Sequence, residues 1–462
     1  MTDNQRKPTA KLTHIVSYKE ALIVWMKIAL LSFGGPASQI AIMHRILIEE
    51  KKWISETRFL HALNYCMLLP GPEAQQLVTY IGWLLHGVWG GILAGSIFIL
   101  PGALSMMLFC ILYVSYGHHY LFATLFFGMR CAVIAILFQS IFRLSLRSLT
   151  DNSQRLTASI SFIAIYFYHI SFPIIILIAA IAGIMSKGFK GGYSLIMRRD
   201  EKPLAASHNR YLIDNVVADI CKDKIHSSLY SSASIVFLWL APLFSIILFS
   251  ENTNIYNQIS RFFLKLALVS FGGAYAILAY VAQYSVEGLH WLGSGEMLDG
   301  LGMAESTPGP LLLVLQFVGF IAAYHHPGQI NALTAGVLGG VLASWATFTP
   351  CFLWIFLGAP FVERLRVNER LSSALSFITA AVVGVMINLG VWFSIHTLFE
   401  TVTIFDLYGL SFDMPIISSL NAPALFLSLI AALLVFWLRL SMFVSFAVCA
   451  VLAIGLRVIY GA

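Results

Sequence analysis

The chain carries one motif twice: Lys27-Ile-Ala-Leu-Leu-Ser-Phe-Gly-Gly35 returns 238 residues later as Lys265-Leu-Ala-Leu-Val-Ser-Phe-Gly-Gly273. The same spacing relates Pro70-Gly71-Pro72 to Pro308-Gly309-Pro310. Marked positions that stay in one register over such a distance predict two halves with the same order of structural elements.

Around this repeat the chain is very apolar. It has 462 residues, of which 59% are hydrophobic and 11% charged, and its mean hydropathy is +0.82. A soluble domain with so few charges could not cover its surface with polar groups, whereas apolar helices of roughly 20 residues suit a bilayer. The alternation of polar and apolar residues that is typical of membrane β-barrels is absent from the sequence. We therefore predict an all-α polytopic membrane protein.

Basic residues indicate the side of the membrane that each loop faces, because cytoplasmic loops are enriched in lysine and arginine. Residues 49–58 contain three basic residues, but their second-half equivalents, residues 287–299, contain none. The reverse holds for residues 361–371, which contain three, and for their first-half equivalents, residues 115–120, which contain none. The distribution predicts two repeats of inverted topology, with broken helices at the Gly-Gly and Pro-Gly-Pro motifs.

This interpretation divides the chain into five parts. They are a cytoplasmic N-terminal segment (1–19), a first membrane repeat (20–185), a polar cytoplasmic linker (186–232), a connecting transmembrane helix (233–250) and a second, inverted membrane repeat (251–462).

Glycine and proline inside apolar segments predict helices that stop and restart in the membrane. A restarting helix presents unpaired N–H groups and the positive end of its dipole, which suit an anion. The alternative is that the motifs only permit close helix packing or a kink. The candidate binding residues are Ser32, Gly34, Gly35, Pro70, Gly71, Pro72 and Gln76 in the first half, and Ser270, Gly272, Gly273, Thr307, Pro308, Gly309, Pro310 and Gln316 in the second.

Three basic residues in apolar segments extend the candidate site. Lys27 and Lys265 hold equivalent positions before the two Gly-Gly pairs, and Arg130 lies near the middle of residues 121–142. Cations inside a membrane usually point to a partner or a transport pathway, and a guanidinium can bind an oxyanion through two parallel hydrogen bonds. We expect a substrate contact from each of them; for the lysines, snorkelling to the interface is the alternative.

Glu73 follows one Pro-Gly-Pro motif and Glu305 precedes the other, and both are candidate proton carriers. Burial in an apolar segment favours the neutral carboxyl group, and beside an anion site protonation would be coupled to occupancy. For Glu73 the alternative is a structural role at a helix N-terminus, where the dipole favours a negative charge.

The sequence lacks the motifs of metal-binding proteins, ATP-driven pumps and hydrolases. The sequence contains no Cys-x-x-Cys pair, no His-Glu-x-x-His and no Walker-type glycine loop, which argues against a zinc site, an ATP-driven pump and a hydrolase. The net charge of +6 comes from loops that flank the membrane segments. We expect no metal, no cofactor and no nucleic-acid partner.

Long motifs in both halves also carry a resemblance to a known family. They are Ser32-Phe-Gly-Gly-Pro36, Leu69-Pro-Gly-Pro-Glu-Ala-Gln-Gln-Leu77, Ser270-Phe-Gly-Gly-Ala-Tyr275 and Gly302-Met-Ala-Glu-Ser-Thr-Pro-Gly-Pro310. Over nearly its whole length the chain resembles the long, two-domain form of the chromate transporter family. The resemblance implies a protein of the bacterial inner membrane that exports chromate and confers chromate resistance. It also implies sulfate, a dianion of nearly the same shape, as an alternative substrate or a competitor.

The sequence thus leads to a secondary anion carrier that works by alternating access, with chromate as the first candidate substrate. Transport of sulfate or another oxyanion keeps the fold and changes the cargo. A membrane-embedded enzyme that uses Glu73 and Glu305 on a lipid is the alternative from another class, but a repeated site suits two-sided access better than catalysis. The expected partners are the anion and the lipid bilayer, and a homodimer is a possible assembly.

Overall fold

The computed structural model describes residues 16–117, 119–186, 225–270, 274–358, 369–407 and 410–460. Most of these residues are helical, and the predicted helical fold class is confirmed. Most of the predicted N-terminal segment and most of the predicted linker lie outside the described residues.

The described helices fall into two series joined by one helix. The first series is α1 (Tyr18–Leu31), α2 (Gly35–His44), α3 (Glu56–Leu68), α4 (Glu73–Tyr116), α5 (Tyr120–Ser148), α6 (Asn152–Tyr168) and α7 (Phe172–Ser186). The joining helix is α8 (Ile225–Phe249). The second series is α9 (Ile255–Val269), α10 (Ala274–Gln283), α11 (Ser294–Ser306), α12 (Val314–His325), α13 (Ala332–Gly358), α14 (Glu369–Leu398), α15 (Ala422–Ala432) and α16 (Met442–Tyr460).

Smaller elements complete the described chain. Wider π-helical turns extend three helices, at Arg45–Glu50, Tyr284–Gly288 and Leu433–Trp437, and short 3₁₀ turns occur at Leu311–Leu313 and Ile417–Ser419. An antiparallel hairpin of β1 (Val402–Leu407) and β2 (Leu410–Pro415) lies between α14 and α15 and pairs Val402 with Pro415.

Five helical stretches of the described chain are long and apolar enough to cross a bilayer. They are Glu73–Tyr116, Tyr120–Ser148, Tyr230–Phe249, Ala332–Gly358 and Ser373–Leu398. Large apolar side chains such as Leu146 and Phe249 are exposed on these helices, and in lipid this exposure carries no hydrophobic cost. The protein is a multi-pass membrane protein.

The start of α1 has a side-chain cap, whereas the starts of α2 and α4 at the sequence motifs have none. At the start of α1, the Ser17 hydroxyl oxygen accepts the Glu20 N–H at 3.2 Å, which satisfies one of the unpaired donors of the first turn. In contrast, α2 begins after Gly34 and α4 begins after Pro72 without any side-chain cap. Helices α2 and α4 therefore keep their first N–H groups free of side-chain caps.

The two halves repeat the same backbone irregularities at the spacing of 238 residues. The π-helical turns after α2 and α10 are followed by residues with positive φ, which is 55° at Lys52 and 51° at His290. The residue directly after each of them, Trp53 or Trp291, donates its N–H to the carbonyl oxygen six residues earlier at 2.8 Å. Irregular features at equivalent positions mean that the halves share their local structure as well as their motifs.

Helix α4 consists of two arms that fold back on each other. Non-helical backbone at His86 and Gly87 separates a short arm, residues 73–85, from a long arm, residues 88–116. In the second half, α12 and α13 are the equivalents of the short and the long arm. The 44-residue helix is therefore a hairpin with one membrane-spanning arm.

The long arm of α4 packs against its equivalent, α13, and the two run antiparallel. Gly91 lies against Phe356, where an added methyl group would be 2.7 Å from Cε1. Gly340 lies against Met107, where a methyl group would be 3.3 Å from Cε. Residue numbers rise along one helix as they fall along the other, and the two contacts are equivalent at a spacing of 249 residues. The halves thus meet through the same surface of the same helix.

Helices α5 and α14 each pack against the last two helices of the other half. Helix α5 contacts α15 and α16, and α14 contacts α6 and α7. Glycines allow these close approaches, because Gly128 of α5 touches the backbone at Cys449 and Gly183 of α7 touches the backbone at Ala374. One hydrophobic core includes residues of both halves, so the halves form a single folded unit.

Candidate functional site

The helix breaks of the two halves meet through reciprocal hydrogen bonds. Gly71 N–H donates to the Ser270 carbonyl oxygen at 3.0 Å, and Gly309 N–H donates to the Ser32 carbonyl oxygen at 2.8 Å. The two donors are equivalent positions of the repeat, and so are the two acceptors. Each Pro-Gly-Pro motif is therefore bonded to the helix end that precedes the Gly-Gly motif of the other half. We call residues 70–72 with 270 the first junction, and residues 308–310 with 32 the second junction.

The glycines at the breaks have backbone conformations that only glycine adopts without strain. The angle φ is 119° at Gly71, 97° at Gly309 and 85° at Gly34, where a side chain on the α-carbon is disfavoured. Space is also limiting, because a methyl group on Gly71 would lie 2.8 Å from Cys351 Sγ. These conformations let one helix stop and the next begin within a few residues.

Both junctions rest on the antiparallel pair formed by the long arm of α4 and α13. At the second junction, a methyl group on Gly102 would overlap with the Pro308 carbonyl oxygen. Gly102 lies at the centre of the long arm, and its equivalent in α13 is Cys351, which touches the first junction. The breaks therefore lie against the middle of a membrane-spanning helix and not in surface loops.

Helix α4 restarts at the first junction with unused backbone donors. Its first helical hydrogen bond runs from Gln76 N–H to the Pro72 carbonyl oxygen at 3.1 Å. The N–H groups of Glu73, Ala74 and Gln75 therefore have no acceptor within the helix. Together with the positive end of the helix dipole, they favour a negative charge at this position.

Glutamine side chains near the junctions are buried, and several of their atoms lack a partner. Gln75 is completely buried, and within the described residues neither its Nε2 nor its Oε1 makes a hydrogen bond. Gln76 donates from Nε2 to the Pro70 carbonyl oxygen at 2.7 Å, and Gln316 donates to that of Ala103 at 3.0 Å. Leaving a buried amide unpaired costs roughly 1–3 kcal/mol. Gln75, which was not among the predicted site residues, is the amide best placed to offer a donor to a ligand.

The hydroxyl groups at the junctions donate to their own helices. Ser32, Ser270 and Thr307 each donate to a carbonyl oxygen three or four residues earlier, at 2.6 to 3.3 Å. Gln39, which the sequence analysis missed, donates from Nε2 to the Gly309 carbonyl oxygen at 2.6 Å. A glutamine one turn into the helix after Gly-Gly is the signal that could have identified it. Backbone N–H groups and amides remain as the donors available to an anion.

Arg130 is paired with a carboxylate that the sequence analysis did not single out. Its Nε donates to Asp299 Oδ1 at 2.6 Å and its Nη2 donates to Oδ2 at 2.5 Å. The Tyr113 hydroxyl donates to the same Oδ2 at 2.9 Å. Asp299 is completely buried, whereas 31% of the Arg130 side chain is exposed. An aspartate in the glycine-rich segment before a Pro-Gly-Pro motif is the signal that could have revealed this pair.

The predicted cationic residues lie away from the junctions. Along α11, Asp299 precedes Thr307 by eight residues, which corresponds to about 12 Å. Lys27 is exposed and donates to Glu50 Oε2 at 2.7 Å, and this contact lowers the pKa of the Glu50 carboxyl group. Lys265, its equivalent, is exposed and forms no ion pair within the described chain. The substrate contacts expected of these residues stay predictions.

The two candidate proton carriers lie at helix ends next to the junctions. Glu73 is the first residue of α4 and is partly buried, and Glu305 is buried two residues before Thr307 in α11. Their role in proton transfer stays a prediction. Two further predicted site residues, Gly272 and Gly273, lie outside the described residues. No group of three or more metal-ligating side chains is clustered in the described parts of the chain.

Comparison with known proteins assigns the chain to a family. The family model described as chromate transporter matches residues 19–184 and 257–456. The chain belongs to the chromate transporter family. The two matched stretches contain the four motifs of both junctions, one Gly-Gly and one Pro-Gly-Pro in each, and they leave out the predicted linker.

Curated relatives of the family cover most of the chain. The chain is 27% identical over 383 residues to a probable chromate transport protein of Synechococcus elongatus, which covers 82% of this chain and 86% of the relative. It is 28% identical over 386 residues to a chromate transport protein of Pseudomonas aeruginosa, with 80% of each chain covered. A chromate transport protein of Cupriavidus metallidurans is 25% identical over 377 residues, or 82% of this chain and 81% of the relative. No solved structure matches the chain. Family membership makes the protein a transporter and not an enzyme.

Proposed function

We propose that the protein exports the chromate dianion from the cytoplasm by alternating access and so confers chromate resistance. The observation that carries this proposal is the reciprocal bonding of Gly71 to Ser270 and of Gly309 to Ser32. It brings equivalent helix breaks of both halves together against membrane-spanning helices, which is a geometry suited to an anion near the bilayer midplane. The relatives from Pseudomonas aeruginosa and Cupriavidus metallidurans are chromate transport proteins, which supports chromate as the cargo.

The proposal includes an inverted arrangement of the two halves. The antiparallel contacts between the long arm of α4 and α13 support it, because two equivalent helices that both span the bilayer then cross in opposite directions. The reversed distribution of basic residues in equivalent loops supports the same topology. We place the N-terminus in the cytoplasm and the protein in a bacterial inner membrane, with the five parts of the chain as predicted from the sequence.

In the proposed mechanism the backbone holds the dianion and the halves move around it. The unused N–H groups at the start of α4 and the Gln75 amide bind oxyanion oxygens at the first junction. Rocking of the two halves about the junctions exposes the anion to one side at a time. A potential that is negative inside favours outward movement by about 2.3 kcal/mol per charge for each 100 mV, and twice that for a dianion. Protonation of Glu73 or Glu305 would then adjust the occupancy of the site.

Chromate uptake into everted membrane vesicles tests the proposal, because export by the cell appears there as uptake. We expect uptake by the wild type and a loss of at least tenfold in Arg130→Ala, Glu73→Gln and Glu305→Gln at equal amounts of folded protein. Arg147→Ala, in the last turn of α5, is the control and should transport normally. Normal uptake in all three site variants contradicts the site, and absence of uptake by the wild type contradicts chromate export.

Sulfate transport is the second candidate function. Backbone N–H groups and an amide recognise negative charge and tetrahedral shape. Chromate and sulfate share both properties, so these donors do not by themselves distinguish the two anions. Competition in the same vesicles separates the two cargoes. Chromate export predicts that a tenfold excess of sulfate reduces chromate uptake only partly, whereas sulfate transport predicts labelled sulfate uptake that chromate inhibits.

A further inference from the structure

The charged cluster of Arg130, Asp299 and Tyr113 joins the two halves inside the membrane-spanning part of the protein. Arg130 lies in α5 and Tyr113 in α4 of the first half, and Asp299 lies in α11 of the second half. Arg130 donates two hydrogen bonds to the Asp299 carboxylate, and the Tyr113 hydroxyl donates a third to the same carboxylate. Intramembrane charges of this kind are costly and mark functional positions more often than structural ones.

The Asp299 carboxylate occupies the position that an oxyanion would take on Arg130. Its two oxygens accept from Nε and Nη2 at 2.6 and 2.5 Å, which is the two-pronged geometry in which arginine binds carboxylates and phosphates alike. Two oxygens of a tetrahedral dianion fit the same edge of the guanidinium. Three of the five N–H bonds of a guanidinium stay outside such a pair, and the Arg130 side chain is 31% exposed while Asp299 is completely buried. An anion can therefore reach the arginine from its exposed side.

We propose that Asp299 is an internal counter-ion that competes with the transported oxyanion for Arg130. The inference rests on the proposed function, in which a tetrahedral dianion is the cargo. In the arrangement described here the carboxylate holds the guanidinium. Arg130 is then a second contact for the dianion, separate from the first junction. A dianion that arrives at the exposed side of the guanidinium replaces the Asp299 carboxylate, and the link between α5 and α11 opens with each transport cycle.

The surroundings of Asp299 favour its return to Arg130 after the dianion has left. Within the described residues, the polar groups near it include Tyr113, which donates a hydrogen bond, and Glu296, one turn earlier in α11, which lies 3.5 Å from His325. None of them replaces the arginine as a close cation. A buried carboxylate that loses its cation is strongly disfavoured, so Asp299 recaptures Arg130 when the dianion leaves. The competition thus weakens binding and promotes release.

Single and double substitutions separate this role from a purely structural ion pair. Binding of chromate and of sulfate is measured by calorimetry on the purified full chain, and chromate turnover is measured in proteoliposomes. We expect Asp299→Asn to bind chromate at least fivefold more tightly and to turn over at least fivefold more slowly. We expect Arg130→Gln to bind at least tenfold more weakly. The double variant leaves no buried charge without a partner, so a structural pair predicts normal transport there, whereas competition predicts none.

A second pair of variants keeps the test decisive if Asp299→Asn does not fold. A methyl group on Gly295 would lie 2.8 Å from Arg130 Nη1, whereas one on Gly293 would lie 3.8 Å from the nearest atom, on Glu296. Gly295→Ala therefore crowds the Arg130 guanidinium without changing any charge. We expect it to weaken chromate binding at least threefold, with Gly293→Ala as the unaffected control.

The outcomes distinguish the two levels of the proposal. Unchanged affinity and turnover in Asp299→Asn, normal transport by the double variant, or equal behaviour of Gly295→Ala and Gly293→Ala overturns the competition while chromate transport by the wild type stands. A wild type that binds neither chromate nor sulfate removes the proposed function, and the competition with it.

Discussion

The two junctions have equivalent backbones but different side chains. Each is held by a glycine N–H that donates to a serine carbonyl oxygen of the other half, and each central glycine has a positive φ. The residues that follow the first Pro-Gly-Pro are Glu73, Ala74, Gln75 and Gln76, and their equivalents after the second are Leu311, Leu312, Leu313 and Val314. The first turn after the first break thus carries polar side chains, whereas the first four residues after the second break are apolar and its first amide is Gln316.

The polar groups of the second half lie on the other side of its break. Asp299, Glu305 and Thr307 all precede the second Pro-Gly-Pro, where the first half has His61, Met67 and Leu69. A duplicated backbone therefore supplies two sets of helix ends, and side chains unique to each half make them chemically different. In the proposed mechanism, the repeat supplies the frame that moves, and the differences between its copies define where the anion is held.

The largest effect is expected from a substitution that disturbs the shared frame. In Gly102→Ala the new methyl group overlaps with the Pro308 carbonyl oxygen and also meets Leu313 Cδ1, so it has no room. Overpacking of this kind costs about 1–3 kcal/mol or more, so we expect loss of most folded protein and of nearly all transport. Size-exclusion chromatography and chromate uptake measure the two effects.

Two controls delimit this prediction. Gly455→Ala adds a methyl group in a helix where nothing lies within 4 Å, and it should keep or slightly raise stability. Cys351→Ala changes the position equivalent to Gly102 and should reduce uptake less than twofold, because the native residue there already has a side chain. Normal folding and uptake by Gly102→Ala show that the second junction can move away from α4 without loss.

The second effect tests the difference between the two junctions. Gln75→Leu removes a buried amide with two unpaired atoms, so we expect the free energy of unfolding to rise by about 1–2 kcal/mol. The same change removes a donor from the start of α4, and we expect chromate uptake to fall at least tenfold. Thermal unfolding in detergent and uptake at several chromate concentrations measure both quantities on the same preparations.

The reverse substitution provides the matched control. Leu313 is the equivalent of Gln75 and is completely buried, so Leu313→Gln buries an amide at a position where the second half has an apolar residue and should destabilise the protein. A fall in stability for Gln75→Leu means that the amide has a partner, and undiminished uptake means that it lies outside the site. Either result removes the contrast between the junctions as the source of anion binding.

The repeat and its breaks could be predicted because they depend on local sequence. Clustered glycine and proline disfavour a continuing helix, so the interruptions at Gly34 and Gly71 could be predicted from the sequence, although single prolines such as Pro101 and Pro350 lie inside helices. The reciprocal bonds across the junctions were not readable, because they join residues about 200 or more positions apart. Only packing of the whole protein determines which helix end each motif meets.

Side-chain partners were harder to predict than helix breaks. Arg130 was noticed because a cation in an apolar segment is rare, but its partner Asp299 lies in a segment that also contains four glycines within residues 293–302 and does not read as a simple membrane helix. Gln39 escaped because a single amide gives no pattern, whereas Gln75 lies in the Leu69–Leu77 motif but was not chosen as a site residue. Whether such a group is paired or unpaired depends on neighbours that are distant in the sequence and that only tertiary packing brings into contact.

The smallest effect is expected at the equivalent lysines, where the halves differ in one partner. Lys27 pairs with Glu50, whereas the position equivalent to Glu50 in the second half is Gly288, and Lys265 is exposed. Exposed charges act on an approaching anion over about 10 Å at 0.1 M salt. We expect Lys265→Gln to lower chromate uptake two- to threefold at low ionic strength and Lys27→Gln to lower it less, because Glu50 already offsets that charge. At 0.5 M salt both variants should match the wild type. A loss of tenfold or more that persists at high salt would instead place a lysine in direct contact with the anion, and equal losses at the two positions would mean that the Glu50 pair has no influence on the route.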